Sequence, residues 1–489
     1  MLFNSIDFSL FLPIVFIIYW FFVNKNLKIQ NLFLVITSYV FYGWWDWKFL
    51  ILITITILCS WLSGLFIIYI RQKETREKKL RQKTKTITII NILINLCILG
   101  FFKYYNFFVG AFIDSFSLLG KEFNIHSLNI ILPIGISFYT FQALSYTIDV
   151  YRKKVEPTKD IISFVAFISF FPLLVAGPIE RATNFLPQFY TKRTFDYTKA
   201  VDGLRQILWG LFKKVVIADN CAICVNYIFP NYEMLPGSTL LLGAFFFSIQ
   251  IYCDFSGYSD IAIGCARLFG FNAMQNFAFP YFSRDIAEFW RRWHISLTTW
   301  FRDYVYIPLG GSREGKWKTV QNTFIVYLVS GFWHGANWTF ILWGLINAIY
   351  FLPLLLFGKN RKHIDVVASG KRLPSLKDFF QILLTFALTM FAWIFFRAET
   401  VSQAFSYIKH LFSKSLFVFP TNGFYVGNFI VFLIPILFIF EWIQREKQHG
   451  LDIANIKSRY LRWIIYSFIL FLIGIFMQTT ESPFIYFQF

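Results

Sequence analysis

Two histidines in this chain stand where an imidazole could do proton-transfer chemistry. His334 lies in VQNTFIVYLVSGFWHGANWTFILWGLIN, residues 320–347, a run that contains no Asp, Glu, Lys or Arg. A titratable group at membrane depth is costly to keep and marks a functional site by default. A neutral imidazole can take a proton from a hydroxyl and later return it to a leaving group, and burial favours the neutral ring. Forty residues upstream, His294 sits in RDIAEFWRRWHISLTTWFRDYVYIPLGG, residues 284–311. Taken alone, it reads equally as a satisfied interior histidine or as a second catalytic group, because histidine serves both roles. No G-x-S-x-G, H-E-x-x-H, Walker or G-x-G-x-x-G motif competes for the chemistry.

Between the two histidines the chain turns through Ile307-Pro308-Leu309-Gly310-Gly311-Ser312, and Arg313, Lys316 and Lys318 make that turn basic. Scattered cations can anchor a loop on the cytoplasmic side of a membrane or grip a phosphate-bearing donor. The second reading makes Arg313, Lys316 and Lys318 the donor-binding candidates. The Cys221-x-x-Cys224 pair lacks a second pair or nearby histidine to complete a zinc site, so no metal is expected and the six cysteines read as small buried hydrophobes.

The elements that must position these groups follow from composition. The 489 residues are 57% hydrophobic, 22% aromatic and 15% charged, against roughly a quarter charged in a soluble domain. Many apolar runs approach the roughly 20 residues a spanning helix needs. The expectation is an all-α polytopic membrane protein of roughly ten to twelve transmembrane helices plus re-entrant and interfacial helices. No polar stretch is long enough to bury its own core, so residues 1–489 read as a single membrane domain. The net charge of +19 resides mostly in short loops, which is membrane anchoring rather than nucleic-acid binding. RQKETREKKLRQKTK, residues 71–85, places its loop in the cytoplasm, and the basic segment 359–377 belongs on the same side.

Three local expectations bear on the site. On a 3.6-residue period, Ile286, Trp290, Trp293, Leu297, Trp300 and Tyr304 fall on one stripe, with Arg284, Glu288, Arg291, Thr298 and Arg302 opposite, as in one basic amphipathic helix lying in the interface. Glu288 would reach Arg291 and Arg292 at i+3 and i+4. Lys213 and Lys214, adjacent in an apolar run, suggest a helix near the surface rather than across the membrane. In 240–271, by contrast, Asp254, Ser256, Ser259, Asp260 and Arg267 crowd one span, so some must face a polar interior, with Gly257, Gly264 and Gly270 permitting close helix approach. The aromatic tail 478–489, QTTESPFIYFQF, should lie outside, as an interfacial anchor or as a docking strip for an outer-face partner.

The blocks DFSGYSDIAIG (254–264), FWRRWHISLTTWFRDYVYIPLGG (289–311) and FWHGANWTFILWGLIN (332–347) closely resemble the membrane-bound O-acyltransferase family. Within it they look most like the bacterial branch that O-acetylates exported polysaccharides such as alginate or peptidoglycan. The apolar layout extends the resemblance over essentially the whole chain. It implies that His334 is the family's catalytic histidine and His294 its upstream polar partner, in a catalytic core over about residues 131–357. It further implies acetyl-CoA as acyl donor, an exported polysaccharide as acceptor, a periplasmic SGNH-type acetyltransferase as partner, and a multi-pass place in the bacterial inner membrane. A transporter that passes an acyl group or a lipid-linked sugar without chemistry fits the basic loops and polar spans as well. The pair of histidines favours the enzyme.

Overall fold

The structure, a computed structural model, describes residues 1–117, 128, 130–420, 429–478, 484 and 485. Among them the only regular elements are helices, as the composition requires. Six helices are long and apolar enough to cross a bilayer: Phe49–Lys73, Glu77–Ser117, Gly237–Leu268, Trp338–Leu356, Leu376–Arg397 and Arg459–Phe476. Ile6–Phe22 and Ile430–Ile443 are shorter apolar helices, and the rest of the expected ten to twelve are shorter or more polar. Four cysteines are buried as expected, but Cys59 is half-buried and Cys97 exposed. The chain divides into two compact units, residues 1–197 with 266–273, and residues 198–265 with 274–489.

In the first unit the Ile136–Tyr151 helix is buried on almost every face, as its load of Ser, Thr, Tyr and Gln implies. Several of its polar groups find partners: the Gln142 amide donates to the Phe167 carbonyl at 2.9 Å and the Ser145 hydroxyl to the Gln142 carbonyl at 2.7 Å. Most buried polar atoms are kept on such terms. Ile161–Ser169 begins at Asp160, whose carboxylate accepts from the Ile162 and Ser163 N–H groups, satisfying donors that every helix start leaves over. The segment 266–273 belongs here because Trp20 Nε1 donates to the Leu268 carbonyl at 2.9 Å and Tyr19 OH to the Phe269 carbonyl at 3.0 Å.

The second unit holds both histidines. Lys316–His334 and Trp338–Leu356 form an antiparallel helical hairpin. The chain extends at Gly335 and restarts where Asn337 Oδ1 accepts from Thr339 N–H at 3.1 Å. The two helices meet at glycine: a Cβ on Gly331 would stand 2.3 Å from the Phe340 carbonyl oxygen, and one on Gly344 2.4 Å from that of Tyr327. No side chain fits at that separation, so the small residues set how closely His334 approaches the second helix.

Lys213 and Lys214 are not on a surface helix. They lie in a π-helical turn, Phe212–Ala218, at 3% and 1% exposure. Lys213 Nζ pairs with Asp260 at 2.6 Å, and Lys214 Nζ pairs with Asp254 at 2.7 Å and Asp219 at 2.8 Å. The carboxylates that crowd the Gly237–Leu268 helix are therefore what draws the lysines inward. Backbone contact allows it: a Cβ on Gly257 would lie 2.8 Å from the Gly210 carbonyl oxygen, the close approach its glycines suggest.

Candidate active site

The stripe from Ile286 to Tyr304 is not one helix. It is two short ones, Ile286–Arg292 and Ile295–Phe301, broken at Trp293-His294, and the second runs on into a π-helical turn, Arg302–Tyr306. His294 takes a left-handed conformation, φ +42°, uncommon outside glycine. The break is held from a segment with no helical period. The Asn276 carbonyl accepts from the Ile295 N–H at 2.9 Å. Asn276 Oδ1 accepts from the Ser296 N–H at 3.3 Å and its hydroxyl at 2.9 Å. The same oxygen lies 3.1 Å from His294 Nδ1. Because a backbone N–H can only donate, Oδ1 is fixed as the acceptor, so Nδ1 carries the proton and Nε2 the lone pair. His294 is 1% exposed and lies outside the six candidate spans; burial drives its pKa down to about 3. The ring is a neutral imidazole.

His334 ends its helix at 3% exposure. Its ring meets Trp333, Trp343 and Phe396 edge-on, with centroids 4.8, 5.1 and 5.4 Å away. His294 packs on the same Trp333 indole at 6.1 Å, so one aromatic side chain touches both imidazoles. Both histidines line one cavity of about 820 Å³, within the size range that encloses a small-molecule ligand.

Of the three donor-binding candidates, Lys316 lines this cavity. Arg313 and Lys318 do not; Lys318 Nζ donates instead to Gln321 at 3.3 Å. The cavity's other cations are Arg291, Arg302 and Arg361, which sequence reasoning assigned to an amphipathic face and to an anchoring loop. Glu288 does reach Arg292, at 2.9 Å, but its other partner is Arg284 at 3.0 Å, and it is 1% exposed. Arg291 turns away from it and donates to the Asn360 and His363 carbonyls at 2.8 and 2.6 Å. Arg284 also binds Asp365 at 3.0 Å, so the 359–377 loop is tied to the start of the helix that leads into His294. Asn276 is the residue that sequence reasoning missed outright. Its one available signal was an amide inside the otherwise aromatic, non-helical run NFAFPYF, residues 276–282.

A cavity with two imidazoles, aromatic walls and four cations suits proton transfer on an anionic, partly apolar substrate. Comparison with known proteins points the same way. The family model of membrane-bound O-acyltransferases matches residues 39–396. A probable alginate O-acetylase from Pseudomonas aeruginosa is 39% identical over 84% of this chain and 74% of its own length. One from Pseudomonas putida is 35% identical over 99% of both chains. A peptidoglycan O-acetyltransferase from Helicobacter pylori is 34% identical over 82% of this chain and 77% of its own.

Proposed function

The chain belongs to the membrane-bound O-acyltransferase family, and we propose that it moves an acetyl group from acetyl-CoA in the cytoplasm toward hydroxyls of an exported polysaccharide. It is a membrane O-acyltransferase; the polymer, the donor and the partner are the proposal. Relatives named for alginate and for peptidoglycan acetylation support a polysaccharide acceptor. The bacterial inner membrane is the site that such an acceptor and a cytoplasmic thioester together require. The proposal takes the whole chain as one catalytic membrane domain with its core at about residues 131–357.

The observation that carries the reading is the single cavity whose wall includes both His294 and His334. His334 is the general base. It takes the proton of the attacking hydroxyl while that oxygen bonds to the thioester carbonyl carbon. The C–S bond then breaks, and the departing thiolate takes the proton back from the imidazolium. His294, neutral and oriented by Asn276, offers its Nε2 lone pair as an acceptor to the hydroxyl or to the imidazole that carries the charge. Lys316, with Arg291, Arg302 and Arg361, suits the donor's phosphates; Arg313 and Lys318 remain candidates for the donor's approach rather than its seat. The acceptor hydroxyl belongs to the polymer or to a periplasmic SGNH-type partner that passes the acetyl on.

Inverted membrane vesicles supplied with acetyl-labelled acetyl-CoA test this directly. The wild-type chain should place base-labile label on polymer or partner, and His334→Ala should lose about 10²–10⁴-fold while accumulating normally. Near-normal labelling in that variant would remove His334 from the mechanism, and labelling from another thioester alone would replace the donor.

A further inference from the structure

The end of the chain comes back to the site. Phe484 and Ile485 are buried, at 0% and 4% exposure, so these two residues are not part of an exposed strip. The rest of the expected docking strip, 483 and 486–489, lies outside the described residues. The Phe484 ring packs against Tyr258 at 4.6 Å and Phe255 at 5.6 Å between centroids. Phe255 in turn meets the His294 imidazole edge-on at 4.6 Å. One residue further, the Ile485 N–H donates to Asp254 Oδ2 at 2.6 Å.

That acceptor is itself immobilised. Asp254 is 2% exposed, and its other oxygen pairs with Lys214, which also holds Asp219. Asp254, Phe255 and Tyr258 follow one another on a single helix, so one stretch of it presents the carboxylate and both rings to the tail. A hydrogen bond to an ionised carboxylate is among the stronger that a backbone N–H makes. It fixes the register at which Phe484 enters. Aromatic rings in edge contact, in turn, transmit displacement because packed interiors have no slack.

We infer that Phe484 and Ile485 form a clasp that positions His294. Asn276 holds the imidazole at Nδ1, Phe255 walls its ring, and Phe484 backs Phe255. Without the Phe484 ring, Phe255 has volume to move into and the imidazole loses a wall. These are positioning residues, acting through Phe255 on His294. The inference rests on reading His294 as part of the acyl-transfer site, so its test includes a readout that needs no turnover.

The experiment uses the full-length protein in membranes, with Phe484→Ala, Ile485→Pro (which removes the N–H) and the volume-keeping Phe484→Leu. Diethyl pyrocarbonate modification is followed residue by residue by mass spectrometry, with His363 as internal reference. His294 should react at least about tenfold faster in Phe484→Ala and Ile485→Pro, His363 should stay within about twofold, and Phe484→Leu should return His294 toward the wild-type rate. In the transfer assay, kcat should fall while KM for acetyl-CoA holds. Unchanged His294 reactivity in both variants overturns the clasp. So does a parallel rise at His294 and His363, which would mean general loosening. If His294 alone becomes reactive while no protein, wild-type included, transfers acetyl from acetyl-CoA, the clasp stands and the donor assignment falls.

Discussion

His294 pays for its left-handed backbone with conformational strain of about 1–3 kcal/mol, and the compensation is visible in Asn276. Removing that side chain strips the acceptor from Ser296 N–H, Ser296 Oγ and His294 Nδ1, each loss worth about 1–3 kcal/mol when buried. Asn276→Ala should therefore lower acetyl transfer by about tenfold or more. Asn276→Asp restores the acceptor but adds a charge. The pKa of His294 stands near 3 because burial penalises the cation, so the wild-type ring does not titrate at working pH. A carboxylate at position 276 stabilises the imidazolium and raises that pKa. The ring then protonates as pH falls, and protonated Nε2 can no longer accept. A transfer assay across pH 5–9 should thus show near-normal activity for Asn276→Asp at the alkaline end and a loss on acidification that begins at higher pH than the wild type's, in which only the general base His334 has to stay unprotonated. Identical profiles would show that Asn276 does not act through His294.

Among the elements, the π-helical turn Phe212–Ala218 is the one whose chemistry runs against its sequence signature. Two adjacent lysines in an apolar run read as a surface helix, yet both are paired inside. Such pairs contribute little compared with apolar packing, but leaving one partner uncompensated costs about 3–5 kcal/mol. Lys213→Met strands Asp260, which keeps the Gln206 amide at 2.8 Å but loses its cation. The single variant should drop the thermal midpoint in detergent sharply. The double variant Lys213→Met with Asp260→Leu should recover a substantial part of the loss. A double variant no more stable than the single one would mean that the pair matters for something other than mutual neutralisation.

For the whole molecule, loop charge predicts which side each connection faces. In a background where all six native cysteines are replaced, a cysteine at Lys79 should be shielded from a membrane-impermeant thiol reagent in intact cells, and one at Lys48 should react. Reversed labelling would put the thioester donor on the wrong side. Ser482, in the tail that should lie outside and equally expected to react, is not among the described residues. What the sequence determined by itself was whatever depends on composition and local period. A chain built of long continuous apolar runs with few charges reads as helical and membrane-embedded, since lipid offers no partner for unpaired backbone and the strands of a barrel would alternate instead. A histidine in a charge-free run announces itself without any fold. The family blocks were equally legible, being contiguous. Tertiary structure decided what depends on residues far apart in the chain. That the Ile286–Tyr304 stripe breaks at His294 follows from Asn276, whose hydrogen bonds outweigh a periodic pattern that favours continuing the helix. That Lys213 and Lys214 are interior follows from carboxylates on another helix. That Arg291, Arg302 and Arg361 share a cavity with both imidazoles, while Arg313 and Lys318 do not, follows from how the 302–316 and 359–377 connections fold. Burial and ion pairing are properties of a side chain's surroundings, and a one-dimensional pattern records the side chain without them.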